Sequence, residues 1–459
     1  MDGFVCVKAT ARATAILLLL GLSTAVPAAK PPALFSSYEL LTLQLKAPFG
    51  ELFGSARDDD SVAVSGTLSY RNPDGREVVL PGVKLSLRGH TSRRETECAF
   101  PKLKIHFQSA PGDPVFAGVS TVKIGSHCDD REGLTPRFGR LPNERSPLRE
   151  AFVYRLLDVL QVPSYLARPA RITYTETGTD SPKFPQPITR NAMLLEDDDD
   201  AKKRYGVDQE IDVDAFTSAR ETFDDADVAR AAFAEALIGN FDWCLKMSDD
   251  DTYRCDARRK LWNVMALRGT RTLPLIYDFD VSGMVAGEHR WFGRIFNEAF
   301  LPSRSHAAIE VLSQVQRTRT LFDRSVLDRT RQSFLERKNE VYRALDEAPL
   351  DEPGRARIRE YADSFFDAIG SDDLFYRRVV TAARAMAYPN ADRAAAVCAA
   401  AGPIPAGTPV SEPLETSGSM VRVVLLDALW HWTGRADCPE LRTSAVWIER
   451  AATDTDFPP

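Results

Sequence analysis

Past its first thirty residues, the chain lacks an apolar run long enough to cross a membrane. It also lacks the signatures of three large enzyme classes. No G-x-S-x-G elbow, Walker loop or G-x-G-x-x-G fingerprint occurs, so hydrolase, P-loop and dinucleotide-binding readings lose their usual support. No C-x-x-C and no histidine pair at zinc-ligand spacing is present, which argues against a structural zinc. Positive charge is also short. The formal charge is −7 and the pI about 5.6, which argues against a nucleic-acid partner held by bulk charge. With 27% charged and 44% hydrophobic residues, the composition is that of a globular protein, not a disordered one.

The N-terminus reads as an export signal over residues 1–30. Lys8 and Arg12 supply positive charge, Ala13 to Ala25 is a short apolar core, and Ser23, Ala25 and Ala28 offer small residues for cleavage. The mature chain is expected to be exported, to the periplasm or outside the cell. Of seven cysteines, Cys6 lies in this leader. An even set then remains, which in an exported chain suggests disulfides. Six cysteines allow fifteen pairings. Pairing sequence neighbours gives Cys98–Cys128, Cys244–Cys255 and Cys398–Cys438 as the simplest set. The length is enough for two or three domains.

Residues 31–60 read as a loose lead-in with a few strand residues, Leu40 to Leu45. Period-two alternation follows: Val83, Leu85, Leu87; Leu103, Ile105, Phe107; then Val122 and Ile124 about Lys123. Ser146-Pro147 is a good cap and first-turn pair for a helix through Leu148, Phe152, Leu156 and Val159, with Pro163 beyond it. Residues 168–175 alternate again, and Ala192 to Leu195 is a short strand ending at Glu196. Asp198 to Asp200 read as a solvated loop without calcium-loop spacing. Ala229 to Leu237 is helical, residues 244–260 an inserted hairpin or loop, and 306–387 a block of amphipathic helices. From Pro403 to Ile448 short β runs carry Trp430, Trp432 and Trp447, which suggests a separate small β domain.

Two apolar runs deliver acids at their ends: Ile238-Gly239-Asn240-Phe241-Asp242-Trp243, and Leu275-Ile276-Tyr277-Asp278-Phe279-Asp280-Val281-Ser282-Gly283. Carboxylates beside buried-type residues are costly unless they meet a metal, a metal-bound phosphate or a proton to be moved. A catalytic and a metal-binding aspartate on neighbouring strands or turns is the layout phosphoryl transfer needs.

The motifs, taken in order, carry a resemblance. Arg88-Gly89-His90-Thr91-Ser92-Arg93-Arg94 and the strand Cys98 to Phe107 resemble the R-G-x-x-S-R … P-K region of CotH-type spore-coat kinases. They look closer still to an exported bacterial branch of that family. Val122 to Cys128, Leu148-Arg149-Glu150, Ile238 to Trp243 and Tyr277 to Gly283 follow in the same order. The resemblance covers roughly residues 80–300 and implies an α+β, two-lobed atypical protein-kinase-like fold, with a strand-rich N-lobe and a helix-rich C-lobe. The tail resembles an SH3-like β-barrel. The implied domains are a signal peptide (1–30), a kinase-like domain (31–395) and an SH3-like domain (396–459).

What the resemblance implies for chemistry is ATP with Mg²⁺ or Mn²⁺ as cofactors, and a protein or cell-envelope acceptor. Lys104 is the candidate phosphate-binding lysine, with Lys102 and Lys123 as competitors. Glu150 could pair with it, although a charge in a helix's first turn needs no partner. Arg88 and Glu196 complete the candidate nucleotide contacts. Asp242 would align the acceptor hydroxyl or take its proton. Asn263 and Asp278 would hold the metal through oxygen, with Asp280 taking a second metal or orienting Asp278. Asn263 is a displaced match, with the Cys244–Cys255 segment inserted before it. His90 and His127 read as packing residues, and Cys98 and Cys128 as a staple. The rival readings are a catalytically inactive scaffold that binds peptide or cell-wall material through the tail, and a metal-dependent hydrolase using the same acids.

Overall fold

A computed structural model describes residues 31–57, 59, 61–108, 112–178, 187–207, 209–248, 260–287, 305–319, 321–376, 380–381, 385–397, 403–404, 408, 410–411, 413–425 and 445–454. The leader, Cys255, Cys398, Cys438, Trp430 and Trp432 lie outside them.

Seven strands close into a barrel in the order β1-β2-β3-β4-β5-β7-β6. They are β1 (Leu41–Ala47), β2 (Ala63–Arg71), β3 (Glu77–Leu87), β4 (Leu103–His106), β5 (Thr121–Gly125), β6 (Ala167–Glu176) and β7 (Ile188–Leu195). Alternation decides which side chains fill it. In β1, Leu41, Leu43, Leu45 and Ala47 are buried while Thr42, Gln44 and Lys46 face water. The lead-in is thus better ordered than its sequence suggests, because β1 pairs antiparallel with β2 and parallel with β6 and closes the barrel. Helix α1 (Phe49–Ser55) plugs one end with Phe49, Leu52 and Phe53. At Gly66 the β2–β3 register shifts, and a Cβ there would run into Leu85 and the Lys46 carbonyl, so only glycine fits.

A second core is mostly helical. Helix α2 (Ser146–Val159) packs on β6 and β7, and it also meets two of the helices that follow, Gly283–Ala286 and Lys338–Glu347. Arg145, not Ser146, is its N-cap residue, and Pro147 sits in the first turn. Then come α3 (Asp198–Tyr205), β8 (Gln209–Glu210), α4 (Ala219–Thr222), α5 (Asp225–Ile238), β9 (Cys244–Leu245), β10 (Leu261–Trp262), β11 (Val264–Arg268), β12 (Thr272–Ile276) and α6 (Gly283–Ala286). Helices α7 (His306–Thr318), α8 (Arg324–Glu336), α9 (Lys338–Glu347) and α10 (Glu352–Ile369) complete it. The acidic run at Asp198 to Asp200 is therefore not a loop. It is the first turn of α3, whose last turn holds Lys202, Lys203 and Arg204, each charge favourable to the helix dipole. Strands β9 and β10 pair at the base of the expected hairpin.

The tail's described residues form a three-stranded sheet after β13 (Val380–Thr381): β14 (Glu415–Ser417), β15 (Met420–Val423) and β16 (Val446–Glu449). Strand β13 itself pairs with β17 (Thr453–Asp454). Its small core takes Ala385 and Ala387 as well as Val421, Val423 and Ile448. Trp447 of β16 is buried as well.

Candidate active site

A cavity of about 410 Å³ opens where β3, β4 and β5 face α2 and the turn after β12. A larger concavity, about 590 Å³, lies over the outside of β1 and β2. There Arg168 donates to the backbone carbonyls of Leu34 and Glu39, and the two lining acids, Glu39 and Glu77, stand without a lysine; the smaller cavity brings lysines and acids together.

The turn after β12 and the residue before β11 that faces it both take left-handed backbone. Asn263 (φ +52°) and Asp278 (φ +65°) both hold a conformation that short polar side chains tolerate better than most. The Tyr277 amide donates to the Asn263 carbonyl at 3.0 Å, and the Asp278 amide to the Tyr154 hydroxyl at 3.2 Å. Helix α6 then begins at Gly283, where a Cβ would collide with the Tyr361 ring of α10. Gly239, in the left-handed cap of α5, faces the same ring, and the Gly283 amide donates to its carbonyl at 3.0 Å. The two acid-bearing turns are thus fastened to each other.

Lys102 is the cation at the acids. Its Nζ lies 3.2 Å from Asp278 Oδ1 and 2.9 Å from Asp280 Oδ2. Burial opposes the ammonium form, but the charges of Asp278, Asp280 and Glu150 outweigh it and hold Lys102 above its ordinary pKa. Arg140 donates from Nε to Asp280 Oδ2 at 2.7 Å and from Nη2 to Thr91 Oγ1 at 2.7 Å. Burial works against the Asp280 carboxylate, yet Arg140 and Lys102 hold its pKa well below the usual range. Glu150 sits fully inside on α2, where burial pushes its pKa up to about 7 against the pull of Lys102.

Asp242 follows the α5 cap. Asn240 Oδ1 accepts from its amide at 3.0 Å, and the Asn240 carbonyl accepts from Gln314 of α7 at 2.7 Å. Trp262 Nε1 donates to Asp242 Oδ1 at 3.1 Å. Asn263 Nδ2 reaches the Asp242 carbonyl at 2.5 Å and Oδ2 at 3.2 Å. Burial, then the charge of Asp278, push the Asp242 carboxyl up to about 7.

The other two lysines that line the cavity pair with a different set of acids. Lys104 Nζ lies 3.0 Å from Asp197 Oδ2, and Lys123 Nζ 2.6 Å from Asp198 Oδ1. Tyr165 donates to the same Asp198 oxygen, and Lys123 sits over the Tyr165 ring at 4.3 Å. Arg88 lines the cavity. Glu196 stands apart from it: its carboxylate takes Arg204 Nε at 2.9 Å, Arg204 Nη2 at 2.7 Å and the Leu166 amide at 3.0 Å.

Of the expected site residues, Asp278, Glu150, Lys104 and Arg88 line the cavity; Asp280 lies behind that lining on Lys102, Asp242 and Asn263 are bonded to each other with Asp242 in the field of Asp278, and Glu196 is outside the lining. Lys102, a competitor in the sequence reading, takes the place at the acids. Arg140 and Tyr154 were not singled out. Arg140 lies in a polar, turn-rich stretch with no periodicity to flag it.

The donor set suits a hard divalent cation, which takes oxygen ligands and completes its shell with phosphate oxygens. Asp278 is the acid with room, at 37% side-chain exposure. Asp280 Oδ1 is buried without a hydrogen-bond partner, an orphaned anionic oxygen a cation would satisfy. Among the described residues no three acidic, histidine or cysteine side chains form a metal cluster by themselves, so a ligand would supply the remaining oxygens.

Cys98 and Cys128 are disulfide-bonded, as expected of a staple. Cys244 is also disulfide-bonded. No helix of the described residues is long and apolar enough to cross a membrane.

No protein-family model matches the chain, and no curated protein matches it. Among solved structures it is similar to the proinflammatory kinase CtkA of Helicobacter pylori, at 9% identity and a TM-score of 0.30, over 58% of this chain and 90% of that one. The described residues form a mixed α and β fold with a closed seven-stranded barrel beside a cluster of acids that includes the buried Glu150 and Asp280.

Proposed function

We propose that this chain is an exported, kinase-like phosphotransferase that moves a phosphoryl or nucleotidyl group from ATP to a protein or envelope acceptor. The observation that carries the reading is Lys102 clamped between Asp278 and Asp280 at the cavity end, with Asp242 beside them. Phosphoryl transfer asks for this kind of set: a cation for the phosphates, oxygen ligands for a metal and an acid at the nucleophile. The motif order from Arg88 to Gly283 supports a CotH-type relationship and an exported branch.

In this reading Asp242 orients the acceptor hydroxyl and takes its proton. A carboxyl that titrates near 7 is poised for that work. Asp278 and Asp280, with Glu150 behind them, keep Lys102 charged. Lys104 and Arg88 add positive charge along the walls. Mg²⁺ or Mn²⁺ held by Asp278 and Asn263, with Asp280 behind, would neutralise charge on the transferring group.

One observation favours the inactive-scaffold alternative. Lys102 and Arg140 already consume Asp280 Oδ2, a closed ionic set that a dead enzyme would retain for structure. Titration with ATP and Mg²⁺ or Mn²⁺ separates the two. Saturable binding that Asp278→Ala abolishes supports the phosphotransferase. Absence of binding supports the scaffold, and binding without transfer to any acceptor marks a pseudokinase.

A further inference from the structure

Beside the cavity lies a second concavity of about 690 Å³, and the two share Arg88, Gly89 and His90. Arg57, Arg88, Arg93 and Arg94 line it with His90, against one acid, Glu95. On a chain with a formal charge of −7, so much positive charge in one hollow is a local arrangement. A hollow lined by one sign of charge focuses its field on ligands of the other sign.

The loop that builds this hollow is held at several points. The Arg88 amide donates to the Lys102 carbonyl at 3.0 Å, and Arg93 Nη2 to the Leu87 carbonyl at 3.1 Å. Arg57 reaches over from beyond α1. It donates to the carbonyl of Arg93, and to those of Cys98 at 3.2 Å and Ala99 at 2.9 Å. Cys98 is stapled to Cys128. Thr91 accepts from the same Arg140 guanidinium that holds Asp280, so the loop is tied to the acid cluster. A receptor ordered in advance loses little entropy when it binds.

We propose that this basic annex seats acidic residues of a polypeptide acceptor, which brings a neighbouring hydroxyl to the cavity mouth. The proposal rests on the phosphotransferase reading, and it supplies the acceptor class that the reading leaves open. Guanidinium forks match carboxylates bidentately, and arginine is the basic residue best suited to such pairing. The lysines within the cavity serve a nucleotide's phosphates, which leaves the annex for the second substrate.

The test is fluorescence anisotropy on the full chain without nucleotide. The probes are a labelled peptide of alternating glutamate and serine, and its glutamine–serine counterpart. At low ionic strength the acidic peptide binds about tenfold tighter, and the gap narrows as salt rises. Arg94→Glu, at an exposed position, removes the preference. Arg76→Glu, 78% exposed on a distant turn, leaves it intact. Saturating ATP with Mg²⁺ leaves the acidic peptide bound. Equal binding of both peptides, indifference to Arg94→Glu, or displacement by ATP each overturns the proposal, the last by assigning the annex to the nucleotide. Peptide binding is read without ATP, so a failure of ATP to bind sinks the phosphotransferase reading alone.

Discussion

Lys102 and Lys123 line one cavity and are similarly hidden, at 12% and 8% side-chain exposure, yet their ammonium groups are driven in opposite directions. Both lose hydration, which disfavours charge. Lys102 faces Asp278, Asp280 and Glu150, and their combined field keeps it protonated above its ordinary pKa. Lys123 has Asp198 as its close partner, and Arg88 works against it, so burial wins and its pKa falls. The number of carboxylates gathered per ammonium, more than depth, fixes the charge. Lys102 sits in a constellation of several charges, Lys123 in a pair.

The largest test of that difference is Asp280→Ala. It leaves Lys102 and Arg140 facing a lost partner and should cost about 3–5 kcal/mol in urea unfolding. Asp198→Ala should cost only about 1–2 kcal/mol, because the Asp198 carboxylate is 38% exposed and water can take its place beside Lys123. Equal losses would break the comparison.

Asp278→Ala should lower transfer about a hundredfold, as loss of a preorganised charge does. Its effect on unfolding should be about 1–2 kcal/mol, set by alanine in the left-handed backbone at φ +65° more than by the lost charge, since the carboxylate is partly exposed and Lys102 keeps Asp280.

Asp242 gives a pH signature. Its carboxyl titrates near 7 in the folded chain against an ordinary value of 3.8, so the folded state holds this proton more tightly than the unfolded one. The resulting stability is present at low pH and is lost as pH rises from about 4 through about 7. Asp242→Asn should therefore raise the melting temperature at pH 8 and change it little at pH 4. Transfer by the wild type should climb through about pH 7, and that limb should vanish in the variant.

The smallest effect is chemical. Acetic anhydride at mildly alkaline pH should label Lys123 before Lys102, read by peptide mass mapping. Equal labelling would mean that the acids do not separate the two.

Much of this was legible beforehand. The alternation at Val83 to Leu87 and Leu103 to Phe107 gave barrel strands because one face is buried, and the acids ending two apolar runs did meet. The lysine was harder. Lys102 and Lys104 are two residues apart, so both leave the strand on one face and both reach the cavity. Which one touches the acids depends on how far along β4 the turn after β12 docks, and that is set by α2 and Tyr154, remote in sequence. Asp198 misled for a similar reason. A run of aspartates looks solvated until a lysine from β5 arrives to meet it.

The strand that shuts the barrel also sets an order of assembly. Leu41 finds its parallel partner only at Ala170, after almost the whole circuit of strands has been made. A nascent chain must therefore keep a leucine-rich edge unpaired while more than a hundred residues follow, a long interval for an aggregation-prone ribbon. Mutations that speed local hairpins should do little for its yield, whereas a chaperone that shelters residues 41–47 until β6 emerges should do much.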